Sequence, residues 1–470
     1  MRVIRAGWIV ASAVAWSTVI SCSSDSGGDA PAPAADAGID TQSGPPDTGP
    51  PFVPAPVPAF PQMTDHGGPR ISTLKVLSIT FANDPMRADI DAFTDDFPTM
   101  KGYLDATLAE YGVTQFASGH AHLTKNAPAS FSDEDMRTLV AGATTGAEPP
   151  LGPPDSSLVY TIFLPRGVQG ANSASTYPDS NHAARLCVTS GGYHSSFKVG
   201  NTPVMYAIIP LCAPAASASF SKDPIPDIEA LTSVTTHEWA EAATDPFGKV
   251  GASTMFGLDQ DHGIWAVARS GADDDGSEVG DLCTLRDADY PLLSAANGKK
   301  YRVQRIWSNK EAKLGRHYCS PGGSDDTVFG SVPKATEKVA YTFSGETTYS
   351  LGVTIPIGQS KSVDLQLFSD RPTDAWTFEA VDDSIFDAIA NGGAKLNADG
   401  SATLPNNTVL QPRLKFAFDP PTGKNADAVK MTITHLANDS RLGSPGASAY
   451  YLVSKLPSGT ARYYVGIVGN

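Results

Sequence analysis

Positive charge is scarce in this chain: 34 Lys and Arg stand against 50 Asp and Glu in 470 residues, a formal charge of −16. A protein this acidic is not built to bind nucleic acid through its phosphates. Cysteine is scarce too, with five in all. No Cys-x-x-Cys pair occurs, which leaves a four-thiolate zinc site as the weaker rival of disulfides. There is no Gly-x-Ser-x-Gly elbow, phosphate-binding loop or dinucleotide fingerprint, so serine hydrolysis and nucleotide chemistry have no support. No long-period internal repeat runs through the chain.

What is present begins with an export signal. Arg2 and Arg5 form a basic start, Ala6 to Ile20 an apolar run too short and wrongly flanked to span a bilayer, and Val19-Ile20-Ser21-Cys22 resembles the bacterial lipobox. This predicts an exported bacterial lipoprotein, lipidated at Cys22 and held at the outer membrane or cell surface. An ordinary cleaved signal with an incidental Cys is the alternative. Ser23 is not the Asp that favours inner-membrane retention. Losing residues 1–21, which carry two Arg and no acid, takes the charge from −16 to −18. The four remaining cysteines suit two disulfides in an exported protein. Sequence proximity favours Cys187–Cys212 and Cys283–Cys319 among the three connectivities.

Residues 22–69 are Ser, Gly, Asp, Ala and Pro, with ten prolines between Pro31 and Pro61. They read as an extended tether. A first domain over 70–320 alternates strands and helices. Leu74–Ala82, Val113–Leu123, Leu158–Leu164 and Val204–Ile209 read as strands. Ala88–Tyr111 reads as one or two helices ended by Gly112, Ser132 caps a helix to Val140, and a longer helix covers 227–245. Pro321–Val332 reads as a linker. From about 335 to 470, period-two segments at 363–367, 376–381, 414–418, 429–434, 450–454 and 463–468 predict an all-β sandwich. The expected fold is an α/β (α+β) zincin-like domain followed by that sandwich.

Chemistry concentrates in Thr236-His237-Glu238-Trp239-Ala240-Glu241-Ala242-Ala243-Thr244-Asp245-Pro246. On a helix, His237 and Glu241 are four apart and share a face, with Glu238 beside them. This is the spacing of the zincin motif His-Glu-x-x-His, in which two residues hold a metal and the Glu activates water. Here the second His is a Glu. Pro224 and Pro226 precede the helix, and Asp227 is placed to cap it. A solvated helix face is the plain alternative.

At this point the chain resembles the family of secreted proteins that includes the plant phosphate-induced (EXORDIUM-like) proteins and bacterial relatives. The resemblance rests on Gly191-Gly192-Tyr193-His194-Ser195, Tyr206-Ala207-Ile208-Ile209-Pro210 followed by Cys212, and the His237–Pro246 block. Ser277-Glu278-Val279-Gly280-Asp281-Leu282-Cys283 and Val303-Gln304-Arg305-Ile306-Trp307-Ser308-Asn309 complete it. It covers about 70–320 and implies that Glu241 is the family's own ligand.

Zincin logic places a third ligand downstream, and Glu278 in its Gly-rich acidic segment is the first choice. Asp281, His262 and His194 are the alternates, and Asp245 is expected to fix His237 through its free ring nitrogen. One imidazole with two carboxylates is harder than the usual zinc set, so the expected cofactor is a divalent metal, zinc first, with manganese or calcium as alternatives. Asp273-Asp274-Asp275-Gly276 raises the calcium reading, but an EF-hand register would put Leu282 where its bidentate Glu belongs. The functional expectation is a surface-anchored metal-dependent hydrolase with Glu238 as general base, acting on protein, peptide or cell-wall material. The rival is a non-catalytic surface lipoprotein that binds cell-wall polymer or a protein partner.

Overall fold

The β-branched runs of the first domain pair as expected from strands buried on both faces. A computed structural model describes residues 51–147, 149–172, 182–188, 190–212, 225–248, 250–270, 278–283, 290–322, 327–343, 346–392 and 394–470. The signal segment, Cys22 and most of the Pro-rich stretch lie outside them. In chain order the elements are β1 (Met63–Asp65), β2 (Thr73–Thr80), α1 (Arg87–Asp96), α2 (Lys101–Thr107) and β3 (Gln115–His122). Then come α3 (Asp133–Thr144), β4 (Leu158–Leu164), β5 (Tyr193–Val199), β6 (Thr202–Pro210) and α4 (Asp227–Thr244). β7 (Met255–Leu258) and α5 (Ile264–Ser270) follow.

The central sheet has the order β3-β2-β4-β6-β5. Its first four strands are parallel, and β5 runs antiparallel to β6 at one edge. Period-two alternation divides the core. Val76, Val159, Met205, Ala207 and Ile209 face α1, α2 and α4, while Ile79, Tyr160, Ile162, Tyr206 and Ile208 face α3. A capping box between Ser132 and Asp135 starts α3, in line with the sequence reading.

The C-terminal region holds two sheets lying against each other. One is built from β8 (Phe329–Pro333), β11 (Ser360–Ser369), β13 (Leu414–Asp419) and β15 (Val429–His435), in the order β8-β11-β15-β13. The other contains β9 (Glu337–Phe343), β10 (Glu346–Thr354), β12 (Trp376–Asp382), β14 (Thr422–Gly423), β16 (Ala447–Lys455) and β17 (Ala461–Gly469). Trp376 Nε1 on one sheet donates to Ser331 Oγ on the other at 2.9 Å. The arrangement is sandwich-like within a mixed α/β chain.

Three expectations are corrected. The region is not all-β, because α6 (Asp383–Gly392) packs on β16 and β12. The stretch read as a linker contributes strand β8, whose Phe329 and Val332 are buried; its Gly and Ser content hid a short apolar alternation. The Pro-rich tether is docked over its last part. Asn425 clamps Val53 and Ala55 through their backbone, Phe60 packs edge-on to Phe368, and β1 pairs with β7. Pro56, which lacks a donor, still offers its carbonyl, and Gln366 Nε2 donates to it at 2.9 Å.

Candidate metal centre

α4 is buried on nearly every side, which is why its sequence is rich in Ala and Thr. Thr235, Thr236 and Thr244 return their hydroxyls to carbonyls four residues earlier, which lets polar residues sit in the core. Trp239 stacks on Phe93 at 5.5 Å and donates to Thr161 Oγ1 at 2.7 Å, anchoring the helix to the sheet. Asp227 is not the cap: Pro226 precedes the first turn, and Asp227 accepts from Arg166 at 2.6 Å instead. The anchored rotation aims His237, Glu238 and Glu241 toward β5 and the 278–283 segment.

There the structure brings together two imidazoles and several carboxylates. His237 Nε2 lies 3.0 Å from Glu241 Oε2, 3.5 Å from Asp281 Oδ1 and 3.9 Å from Glu238 Oε1. His194 Nδ1 lies 3.3 Å from Glu238 Oε2 and 3.6 Å from Glu241 Oε2. Two overlapping triads result, His237/Glu241/Asp281 and His194/Glu238/Glu241, each with its ligand-type atoms within 4.8 Å of one another. Glu241 belongs to both. Its Oε1 accepts from the N–H groups of Gly280 and Asp281, both at 3.0 Å, so Oε2 is left for the shared space.

Placement differs from expectation in three respects. Glu278, the first-choice third ligand, lies at the far nitrogen of His194, 3.6 Å from Nε2, while Asp281 completes the His237 triad. Asp281 opens the turn over 281–283, and its Oδ1 lies 3.5 Å from His237 Nε2. Asp245 does not serve His237 as foreseen. Its Oδ1 accepts from Thr254 N–H at 2.6 Å, and His237 Nδ1 meets Gln304 Oε1 at 3.0 Å. His262 is remote from the cluster, held by Asp259 at 2.8 Å beside β10, because the 259–263 turn belongs to the contact with the C-terminal sheets. Asp273–Gly276 lie outside the described residues.

Gln304 was overlooked as a site residue, although its block had been noted. Its Nε2 donates to the Gly280 carbonyl at 2.6 Å. A carbonyl only accepts, so the amide must turn its oxygen to His237, whose Nδ1 therefore carries a proton, and Nε2, which faces Glu241 Oε2 at 3.0 Å, is the nitrogen whose proton an ion would replace. The glycines have a similar logic. A Cβ on Gly280 would lie 2.6 Å from His237 Nδ1 and 2.7 Å from Glu241 Oε1, and one on Gly192 would lie 2.6 Å from Val234 Cγ1 and 3.1 Å from Glu238 Oε1. Two disulfides, Cys187–Cys212 and Cys283–Cys319, pin the neighbouring segments.

Electrostatics follow from crowding. Burial alone would lower His237, but Glu241, Glu238 and Asp281 outweigh it and raise it well above its ordinary value. His194 is raised in the same way, against burial, by Glu238 and Glu241. Glu241 is held below its ordinary value, because His237, His194 and the Asp281 amide outweigh burial. Glu278 is pushed well above its own by burial and by Glu241, Asp281, Asp245 and Glu238. A site that gathers this many acids favours protons or a cation.

The chain matches no protein-family model and no curated protein. Among solved structures, catalytically inactive OgpA from Akkermansia muciniphila, in complex with an O-glycopeptide, is 9% identical over 85% of this chain and 95% of that one, at a TM-score of 0.23. Murine CRIg is 13% identical over 30% of this chain and 94% of that one, at a TM-score of 0.14. Likenesses at this level carry no argument about fold or function.

Proposed function

We propose that the cluster binds a divalent metal ion, zinc first, through His237 Nε2, Glu241 Oε2 and Asp281, and that the protein is a surface-anchored metal-dependent hydrolase, a peptidase before other classes. The observation that carries the reading is the His237/Glu241/Asp281 triad, with Nδ1 engaged by Gln304 and Nε2 turned toward the two carboxylates. The set fits a cation chemically: one imidazole and two carboxylates suit zinc or manganese, and calcium less well because it takes oxygen ligands alone. When bound, the ion would supply Lewis acidity for polarising a carbonyl and activating water. Glu238, next to the triad, accepts the proton of the attacking water. His194, held between Glu238 and Glu278, is the donor placed to meet developing negative charge.

The His-Glu-x-x-Glu spacing on a helix beside that sheet supports a zincin-like domain, and the five sequence blocks support kinship with the EXORDIUM-like family. The lipobox supports anchorage through Cys22. The second reading, a non-catalytic surface protein with a structural ion, is favoured by the place of Glu238 Oε2 in the His194/Glu238/Glu241 triad, where it would be a ligand and not a base. Glu238→Gln separates the two. The catalytic reading expects bound zinc to be retained while hydrolysis of a general protein substrate falls by about 10²-fold or more. Loss of the metal together with Glu238 would favour the structural ion.

A further inference from the structure

At the opposite edge of the sheet from β5, the structure assembles a second set of metal-type side chains that the proposed hydrolase does not use. β3 presents His120 and His122 two apart on one face, and α1 presents Asp91 and Asp95 four apart on one face. The faces meet. His122 Nε2 lies 3.3 Å from Asp91 Oδ2, and His120 Nδ1 lies 3.9 Å from Asp91 Oδ1. Their ligand-type atoms fall within 4.8 Å of one another, and the two rings stack at 5.4 Å between centroids. A tetrahedral ion with bonds of about 2.0–2.1 Å needs its ligand atoms roughly 3.3 Å apart, so small side-chain rotations close the set.

Two further observations point to an ion and not to a plain ion pair. Asp91 Oδ1 is buried with no hydrogen-bond partner, although it faces His120 across a gap too long for a hydrogen bond. The far nitrogen of one ring is also occupied. His122 Nδ1 meets Thr80 Oγ1 at 3.0 Å, while His120 Nε2 stands 3.9 Å from Asp95 Oδ1, beyond hydrogen-bond reach. An outer hydroxyl of this kind holds the His122 ring in place and, when it accepts from Nδ1, leaves the inward Nε2 as the acceptor. Thr80 is the last residue of β2 and pairs with His122, so the sheet register itself supplies that partner.

We propose that Asp91, His120 and His122 form a second divalent-metal site of the zinc class, with three protein ligands and an open fourth position, and with Thr80 orienting His122. Two imidazoles and one carboxylate select a borderline cation over calcium or magnesium. The ion would tie edge strand β3 to α1.

The test titrates zinc alone into the full chain, with a chromophoric competitor and with thermal melting alongside. Glu241→Gln is used as the background, to silence the site on α4. The expected result is one remaining equivalent of zinc, a rise in melting temperature on its addition, and loss of both when His120→Ala and His122→Ala are added. His122→Gln, which keeps bulk and a partner for Thr80, should weaken binding at least about tenfold. Both histidines are more than a third exposed in their side chains, so folding should survive, and circular dichroism checks it. The proposal is overturned if the Glu241→Gln chain binds no zinc, or if its zinc binding is unchanged by the substitutions at 120 and 122. Because Glu241 takes no part in the second site, failure of one site does not imply failure of the other.

Discussion

Gln304 decides which nitrogen of His237 can accept an ion. It is buried, spans from the Gly280 carbonyl to His237 Nδ1, and contacts none of the carboxylates by any bond described here. Replacing it with Ala should lower zinc affinity about 10–100-fold by releasing the ring and its tautomer. It should also cost about 1–3 kcal/mol of stability, from the unpaired Gly280 carbonyl. Competition titration and denaturant unfolding read the two effects separately. The titration of His237 itself gives a second expectation. Its folded value lies well above the ordinary 6.5, so in metal-free protein its contribution to stability is complete below pH 6.5 and is lost as pH rises through the raised value. Glu278 acts in the same sense from its ordinary 4.5 upward, since the folded state holds that proton more tightly. Glu241, held low, acts at the acid end, where stability falls as pH drops through its folded value. Melting of the metal-free chain should therefore decline as pH rises above about 6.5. Zinc should reverse the trend by replacing the proton on His237.

At the scale of elements, α4 works because one large side chain fixes its rotation. Trp239 is fully buried between Phe93, Phe97 and Thr161. Trp239→Ala should cost about 3–5 kcal/mol in urea or guanidinium unfolding, and should blur the metal site without touching a ligand. Much of this level was legible beforehand. The 3.6-residue spacing of His237 and Glu241, the β-branched runs of β2, β4 and β6, and the Ser132 capping box all act locally, and local signals survive in sequence. β5 was not legible. Tyr193-His194-Ser195-Ser196-Phe197-Lys198-Val199 has little apolar alternation, because an edge strand beside a polar site need not bury both faces. So His194 was ranked as a mere alternate, although the fold puts its ring against Glu238. The choice between Glu278 and Asp281 is hard to make from sequence for a related reason. They are three residues apart in one short segment, and the fold sets Asp281 beside His237 and Glu278 beside His194.

At the scale of the whole molecule, the sheet-and-helix domain and the C-terminal sheets share one continuous core. Trp265 on α5 meets Trp307, Tyr318 and Tyr464, and Tyr451 OH donates to the Ala268 carbonyl at 2.6 Å. The boundary read near residue 335 from composition is therefore a change of architecture and not a break in packing. Sequence could not reveal this, since aromatic residues at 265 and 464 carry no local mark of their pairing. No helix among the described residues is long and apolar enough to cross a membrane. The acidity of the chain has a local focus, where Glu238, Glu241, Glu278 and Asp281 converge on two histidines. That convergence is the central claim, and zinc stoichiometry by equilibrium dialysis tests it most directly, comparing the wild-type chain with Glu241→Gln. The account predicts that the wild type binds one more equivalent than Glu241→Gln, because Glu241 Oε2 is the atom both triads share. Equal stoichiometry and affinity in the two proteins would contradict it.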